Sequence, residues 1–181
     1  MKADNETGYR LERKFFISGV SVKIIETHVR LNQACFKPIY QPRWINNIYF
    51  DTYDFDNYIT SCEGIARRAK VRIRWYGDLK GVIKNPVLEL KVKNNLFVKK
   101  ILFPMPYFKL DQRLNISDIK NAMKKMEMPE TLKVNVLSLR PTLLNRYRRK
   151  YFQSFDRAYR LTLDQEMKFY RILGRKSNLL F

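Results

Sequence analysis

The sequence predicts an α+β fold of seven or so β-strands with helices inserted between them, the strands walling a groove or channel. Three observations predict it. Lys70-Val71-Arg72-Ile73-Arg74-Trp75 and Glu89-Leu90-Lys91-Val92-Lys93 place charges on every second residue. A strand sends successive side chains to opposite faces, so each segment has one charged and one apolar face. The charged face is nearly all cationic, and neighbouring like charges repel unless something negative lies between them. The whole chain carries 36 Lys and Arg against 17 Asp and Glu, a net charge of +19. An excess of that size calls for a polyanionic partner: nucleic acid, anionic lipid or phosphate-rich molecules.

Length and composition bound the rest. A chain of 181 residues with 45% hydrophobic residues favours one domain over 1–181 with a sizeable core, and it excludes a disordered basic tail. Cys35 and Cys62 have neither CxxC spacing nor a disulfide framework and read as reduced thiols of a cytosolic protein. The N-terminal MKADNETGYR lacks the apolar region of a secretory signal, and no stretch approaches the roughly 18 apolar residues of a membrane span. The single histidine, His28, argues against a His-based metal site and reads as an exposed helical residue.

Taken in order, a first strand is expected over Tyr9 to Ile17. Ser21 can cap a helix from Val22 to about Leu31, with Val22, Ile25 and Val29 on one face. Ile45 to Asp51 reads as the second strand, ended by the turn Asp51-Thr52-Tyr53-Asp54. The third covers Ala66 to Tyr76, with a turn from Gly77-Asp78. Val87 to Lys93 and Val98 to Pro104 form a pair around Asn94-Asn95, which suits a hairpin turn. Ser117 is placed as the cap of a helix whose Ile119, Ala122, Met123 and Met126 share a face, and Pro129 ends that pattern. A short helix is expected around Leu132 to Leu139. Strands follow over Thr142 to Gln153 and Ala158 to Asp164, then a separate apolar segment over Met167 to Leu173. The chain stops at Asn178-Leu179-Leu180-Phe181 without a polar cap or turn, which reads as a cut-off end. If the strands closed into a barrel, the lumen would be polar.

The candidate residues share strand faces: Arg10, Glu12 and Lys14; Arg68, Lys70, Arg72 and Arg74; Glu89, Lys91 and Lys93; Tyr147, Arg149 and Tyr151; Arg160, Thr162 and Asp164. Arginine suits phosphate because its planar fork makes two parallel hydrogen bonds and never loses its charge. Glu12, Glu89 and Asp164 would hold a hard divalent ion or orient neighbouring cations. Any single alternating strand of this kind is more often a solvated face; recurrence of the same sign on several strands is what favours a site. Arg146 to Lys150, RYRRK, can also be read as a nucleic-acid patch with Tyr147 and Tyr151 for stacking. Against a nucleic-acid partner, the cations are spread over strands of common parity and not gathered in one stripe. Phe15, Phe16, Trp75 and Tyr76 read as core or wall packing.

Tyr9-Arg-Leu-Glu-Arg-Lys-Phe15, Asn46-Asn-Ile-Tyr-Phe-Asp-Thr52, Lys70-Val-Arg-Ile-Arg-Trp-Tyr-Gly77, Leu88-Glu-Leu-Lys91 and Leu144-Asn-Arg-Tyr-Arg-Arg-Lys-Tyr151 resemble the VTC domain. This is the catalytic domain of the vacuolar transporter chaperone polyphosphate polymerase, within the CYTH-like triphosphate tunnel metalloenzymes. The resemblance runs from about residue 9 to 173. It implies an antiparallel β-barrel or tunnel of the triphosphate tunnel type, lined with basic residues, that makes polyphosphate from ATP. It equally admits an inorganic triphosphatase or a non-catalytic polyphosphate- or nucleotide-binding module.

By motif, Lys14 matches the lysine of the first-strand ExExK element, Arg72 and Arg74 the arginine pair of the RxRW strand, and Lys91 the lysine of the following ExK strand. Arg149 and Arg160 match the later Y-x-R and R-x-T-x-D arginines. Lys70 and Lys93 share these faces and extend the phosphate-binding set. The resemblance further implies Mn²⁺ or Mg²⁺ held by glutamates, here Glu12 and Glu89, although Arg10 replaces the first Glu of ExExK. It implies ATP, triphosphate or polyphosphate as partners, and a cytoplasmic protein brought to a membrane by a membrane-embedded partner. Family members carry one more E-x-K strand; Glu166 and Lys168 have the spacing but follow the R-x-T-x-D strand too closely.

Overall fold

The computed structural model describes residues 12–94, 97–111 and 116–172. Helix α1 (Val22–Leu31) begins at Ser21, whose hydroxyl accepts from the Ile24 N–H at 3.4 Å. The stripe Val22, Ile25 and Val29 is its half-buried side, as an amphipathic repeat demands. His28 is exposed on this helix. Strand β1 (Lys37–Asp51) starts well before Ile45. Its first half is mostly exposed, contains Pro38 and Pro42, and pairs with a strand on one side only. A segment with no buried face leaves no alternation to read.

The turn Asp51-Thr52-Tyr53-Asp54 leads into α2 (Asp56–Cys62), a short helix that the sequence pattern did not reveal. Asp51, 5% exposed, accepts from the backbone N–H groups of Thr52, Asn57 and Tyr58 at 2.8, 2.9 and 3.0 Å. It therefore satisfies donors that a helix start leaves unpaired. Asp51→Ala is expected to cost about 2–3 kcal/mol, since three charge-assisted acceptor contacts vanish from a buried site. Urea unfolding checks it, and an unchanged midpoint would mean the turn is held by its backbone alone.

The remaining elements are β2 (Arg67–Tyr76), β3 (Gly81–Ile83), β4 (Val87–Asn94), β5 (Phe97–Pro104), β6 (Phe108–Leu110), α3 (Ile116–Lys124), α4 (Glu130–Ser138), β7 (Arg140–Gln153) and β8 (Arg160–Arg171). Ser117 lies inside α3 and is not its cap. Strand β8 absorbs the segment expected to follow it, because Phe169 and Tyr170 continue the ladder with Asn145 and Leu144 past a bulge at Arg146/Arg148.

One sheet has the order β5-β4-β2-β1-β7-β8, with every pairing antiparallel; β3 and β6 form a separate two-stranded ladder. One face of the large sheet buries Ile48 and Phe50, Val71, Ile73 and Trp75, Leu88 and Leu90, and Leu144. Ile119, Ala122 and Met123 of α3, Val136 of α4, and Ile83, Phe108 and Leu110 of the small ladder cover it. Trp75 meets Phe108 edge-on at 6.1 Å and donates its indole N–H to the Asp78 carbonyl at 2.9 Å.

The expected barrel does not close among the described residues. Strands β5 and β8 are the two edges and share no ladder. Closure needs first and last strands to hydrogen-bond; here the apolar face is covered by α3, α4 and the β3/β6 ladder, so burial is achieved on an open sheet. The expected first strand also differs. Tyr9 to Leu11 lie outside the described residues, and residues 12–18 form no strand. Phe15 and Phe16 are exposed and do not pack in the core.

Candidate functional site

The face of the sheet opposite the helices carries the charged residues, and register puts them in rows. Lys70 lies opposite Lys91, which lies opposite Lys100; Arg68 lies opposite Lys93; Arg72 lies opposite Glu89. Across β1, Asn47 lies opposite Arg74 and Asn145, and Arg43 lies opposite Arg149. Opposed residues of an antiparallel pair project to the same side with side chains about 5 Å apart at their bases. Lysines therefore stand side by side across β2, β4 and β5, and among the described residues no carboxylate pairs with Lys70, Lys91 or Lys93.

Two carboxylates stand on this face, Glu89 among the β2 and β4 cations and Asp164 opposite Arg149. The Glu89 side chain is 7% exposed, and it takes Arg72 at 2.5 Å, Arg74 at 3.3 Å and Lys100 at 3.4 Å. Burial alone would raise its carboxyl, but the Arg72 and Arg74 guanidiniums, with Lys100 behind them, outweigh that and hold it below its ordinary value. Arg72 also donates to the Tyr49 hydroxyl at 3.2 Å. Arg74 donates its Nε–H to Asn47 at 3.0 Å, and Asn47 donates to Asn145 at 2.8 Å. A continuous polar chain thus crosses β4, β2, β1 and β7 and fixes both guanidiniums. Each still has N–H donors that this network leaves unused, because a guanidinium has five.

Arg149 is held separately. Asp164 grips it bidentately, Nε–Oδ1 and Nη2–Oδ2 both at 2.6 Å. Burial opposes its charge, yet the Asp164 hydrogen bonds and Tyr147 more than compensate and push its pKa up. Tyr147 is itself buried, and burial raises its phenol above the ordinary value against the pull of Arg149, Arg74 and Arg72. It stays a neutral donor.

The sheet therefore brings together Lys70, Arg72, Arg74, Glu89, Lys91, Lys93 and Arg149. Arg160 shares the parity of Asp164 but lies exposed at the start of β8, opposite Gln153. Lys14 and Glu12 pair with each other at 3.7 Å, at 83% and 62% side-chain exposure, outside any strand. Glu166 sits at the β8 bulge with a left-handed φ of 54° and meets Arg148 at 3.8 Å, on the other side of β7 from Arg149. RYRRK is split by strand parity: Arg149 and Tyr147 join the cationic face, while Arg146 stacks on Trp44 at 4.1 Å and Lys150 pairs with Glu26 of α1. It is not one patch.

Residues that pattern reading missed are Lys100, Asn47, Asn145 and Arg43. Lys99-Lys100 is a lysine pair whose inward member cannot be chosen without the β4/β5 register. The signal for Asn47 was present: asparagine is depleted in strand interiors, so a fully buried one needs partners. A recess of about 570 Å³ lined by Glu26, Arg30, Pro38, Lys150 and Phe152 lies by α1, on the β7 side opposite Arg149. Tyr40 also lines it.

A family model, the VTC domain, matches residues 10–179. The chain belongs to the VTC domain family. No curated protein matches it closely enough to name as a relative. Membership points to polyphosphate-related function, and the cationic face of this VTC domain has the charge such a polymer requires. Among the described residues no helix is long and apolar enough to cross a membrane. Both cysteines are free and exposed.

Proposed function

We propose that this VTC domain binds the phosphate chain of ATP and polyphosphate on its cationic face and extends polyphosphate from ATP. The row Lys70–Lys91–Lys100 carries this reading: among the described residues no carboxylate pairs with Lys70 or Lys91, and Lys100 shares the single Glu89 with Arg72 and Arg74. Like charges held this close raise the free energy of the fold until an anion lies between them. In the proposed reaction Arg72, Arg74 and Arg149 take non-bridging oxygens of the nucleotide, and the lysines neutralise the growing chain. A terminal polyphosphate oxygen attacks the γ-phosphorus, the bond to the β,γ-bridging oxygen breaks, and ADP leaves with that electron pair. Positioning and charge neutralisation are what such a transfer needs.

The described carboxylates do not fit the Mn²⁺ or Mg²⁺ expected from the resemblance. Glu89 is already shared by three cations, Glu12 lies on an exposed segment, and no three His, Cys, Asp or Glu side chains among the described residues converge. No step is assigned to a metal held by them. Triphosphate hydrolysis and binding without turnover use the same face, and a cytoplasmic location with a membrane-embedded partner receiving the polymer belongs to the polymerase reading. A nucleic-acid role is disfavoured by the split of RYRRK over two faces.

The test is incubation with ATP and Mn²⁺, following polymer and free phosphate together. Polymer is the expected product. Phosphate alone would replace the polymerase by a triphosphatase. Neither product, with tripolyphosphate still raising the melting temperature, would leave a binding module.

A further inference from the structure

At one end of the cationic face the character changes from charged to aromatic. The Arg43 guanidinium lies 4.8 Å from the Tyr76 ring, 4.9 Å from Tyr151 and 5.4 Å from Tyr40, and Tyr40 meets Tyr151 edge-on at 5.5 Å. These rings come from β1, β2 and β7. Arg43 has no carboxylate partner among the described residues, so the rings alone hold it. Packing does not explain the cluster: Tyr76 is 49% and Tyr40 59% exposed. Both side chains therefore remain open to solvent beside Arg43.

The position is set by the phosphate-binding residues. Tyr76 is two residues beyond Arg74 on β2, about 7 Å along the strand, and Arg43 lies directly opposite Arg149. That is the reach of a ribose between a base and its first phosphates. A bare phosphate chain has no use for half-exposed tyrosines, whereas a base stacks on any aromatic ring and on a guanidinium plane. Resting on the phosphate reading above, we propose that Arg43, Tyr76, Tyr151 and Tyr40 form the subsite for the base of the nucleoside triphosphate donor. The face then distinguishes donor from product: nucleotide enters with its base on the tyrosines, while polyphosphate uses only the cation rows.

Calorimetric titration with ATP and with inorganic tripolyphosphate tests this. Tyr76→Leu is expected to weaken ATP about tenfold, the scale of one base–aromatic stack, and to leave tripolyphosphate within about twofold. Tyr76→Phe keeps the ring and is expected to keep ATP affinity. Tyr40→Leu, at the most exposed of the rings, is expected to give the same separation of the two ligands if Tyr76→Leu does not fold. Equal losses for both ligands, or none for ATP, would overturn the base subsite while leaving the phosphate face standing. Wild-type protein that binds neither ligand would remove the phosphate reading and this subsite together.

Discussion

Replacing Glu89 by glutamine is expected to lower stability at pH 7 by about 3 kcal/mol, the lower end of what removing one partner from a buried charge network costs. The carboxylate is 7% exposed and has Arg72, Arg74 and Lys100 within 3.4 Å, so its loss leaves three cations facing one another. The sign of the pH dependence follows from the lowered carboxyl. The folded state holds Glu89 below its ordinary value of 4.5, so the unfolded chain takes up the proton first as pH falls. The stabilisation is complete above about 4.5 and is lost as pH falls through the folded value. Thermal melts of wild type and Glu89→Gln should therefore differ most near neutrality and converge in acid. Tripolyphosphate should raise the melting temperature of Glu89→Gln more than that of wild type, because the ligand supplies the missing negative charge. A variant as stable as wild type at pH 7 would show that Glu89 is not the counter-ion of this face.

The second large effect concerns the arginines. Arg72→Ala and Arg74→Ala are each expected to weaken tripolyphosphate roughly tenfold to a hundredfold, the range for hydrogen bonds made by a charged donor. Arg74→Lys should fall between wild type and Arg74→Ala, since the charge remains but the fork that reaches both Asn47 and Glu89 does not. The strand pattern alone suggests that these arginines can be removed with little loss of fold. Their engagement with buried Glu89 changes that: a melting temperature lowered in both variants is the expected companion result. Unchanged affinity in both would show that the anion does not use this face.

Much of this was legible in the sequence. The alternation Lys70-Val71-Arg72-Ile73-Arg74 could be satisfied only by a strand with one cationic face, and the same parity held for Glu89 to Lys93 and for Tyr147 to Tyr151. The stripe on α1 and the apolar set Ile119, Ala122 and Met123 on α3 were equally local signals. Elements of three residues, such as β3 and β6, carry too few positions to show a period, and α2 is held by Asp51 more than by its own composition.

By itself, then, the sequence determined, for β2, β4 and β7, which side chains share a strand face and that this face is cationic, because side-chain direction repeats every two residues along a strand. Only the tertiary structure decided which strands border one another and in what register. That choice made Glu89 an internal counter-ion, set Lys100 beside Lys91, placed Arg43 among three tyrosines opposite Arg149, and left β5 and β8 as open edges. Pairing is a property of two segments distant in the chain, and no local pattern in either one specifies it.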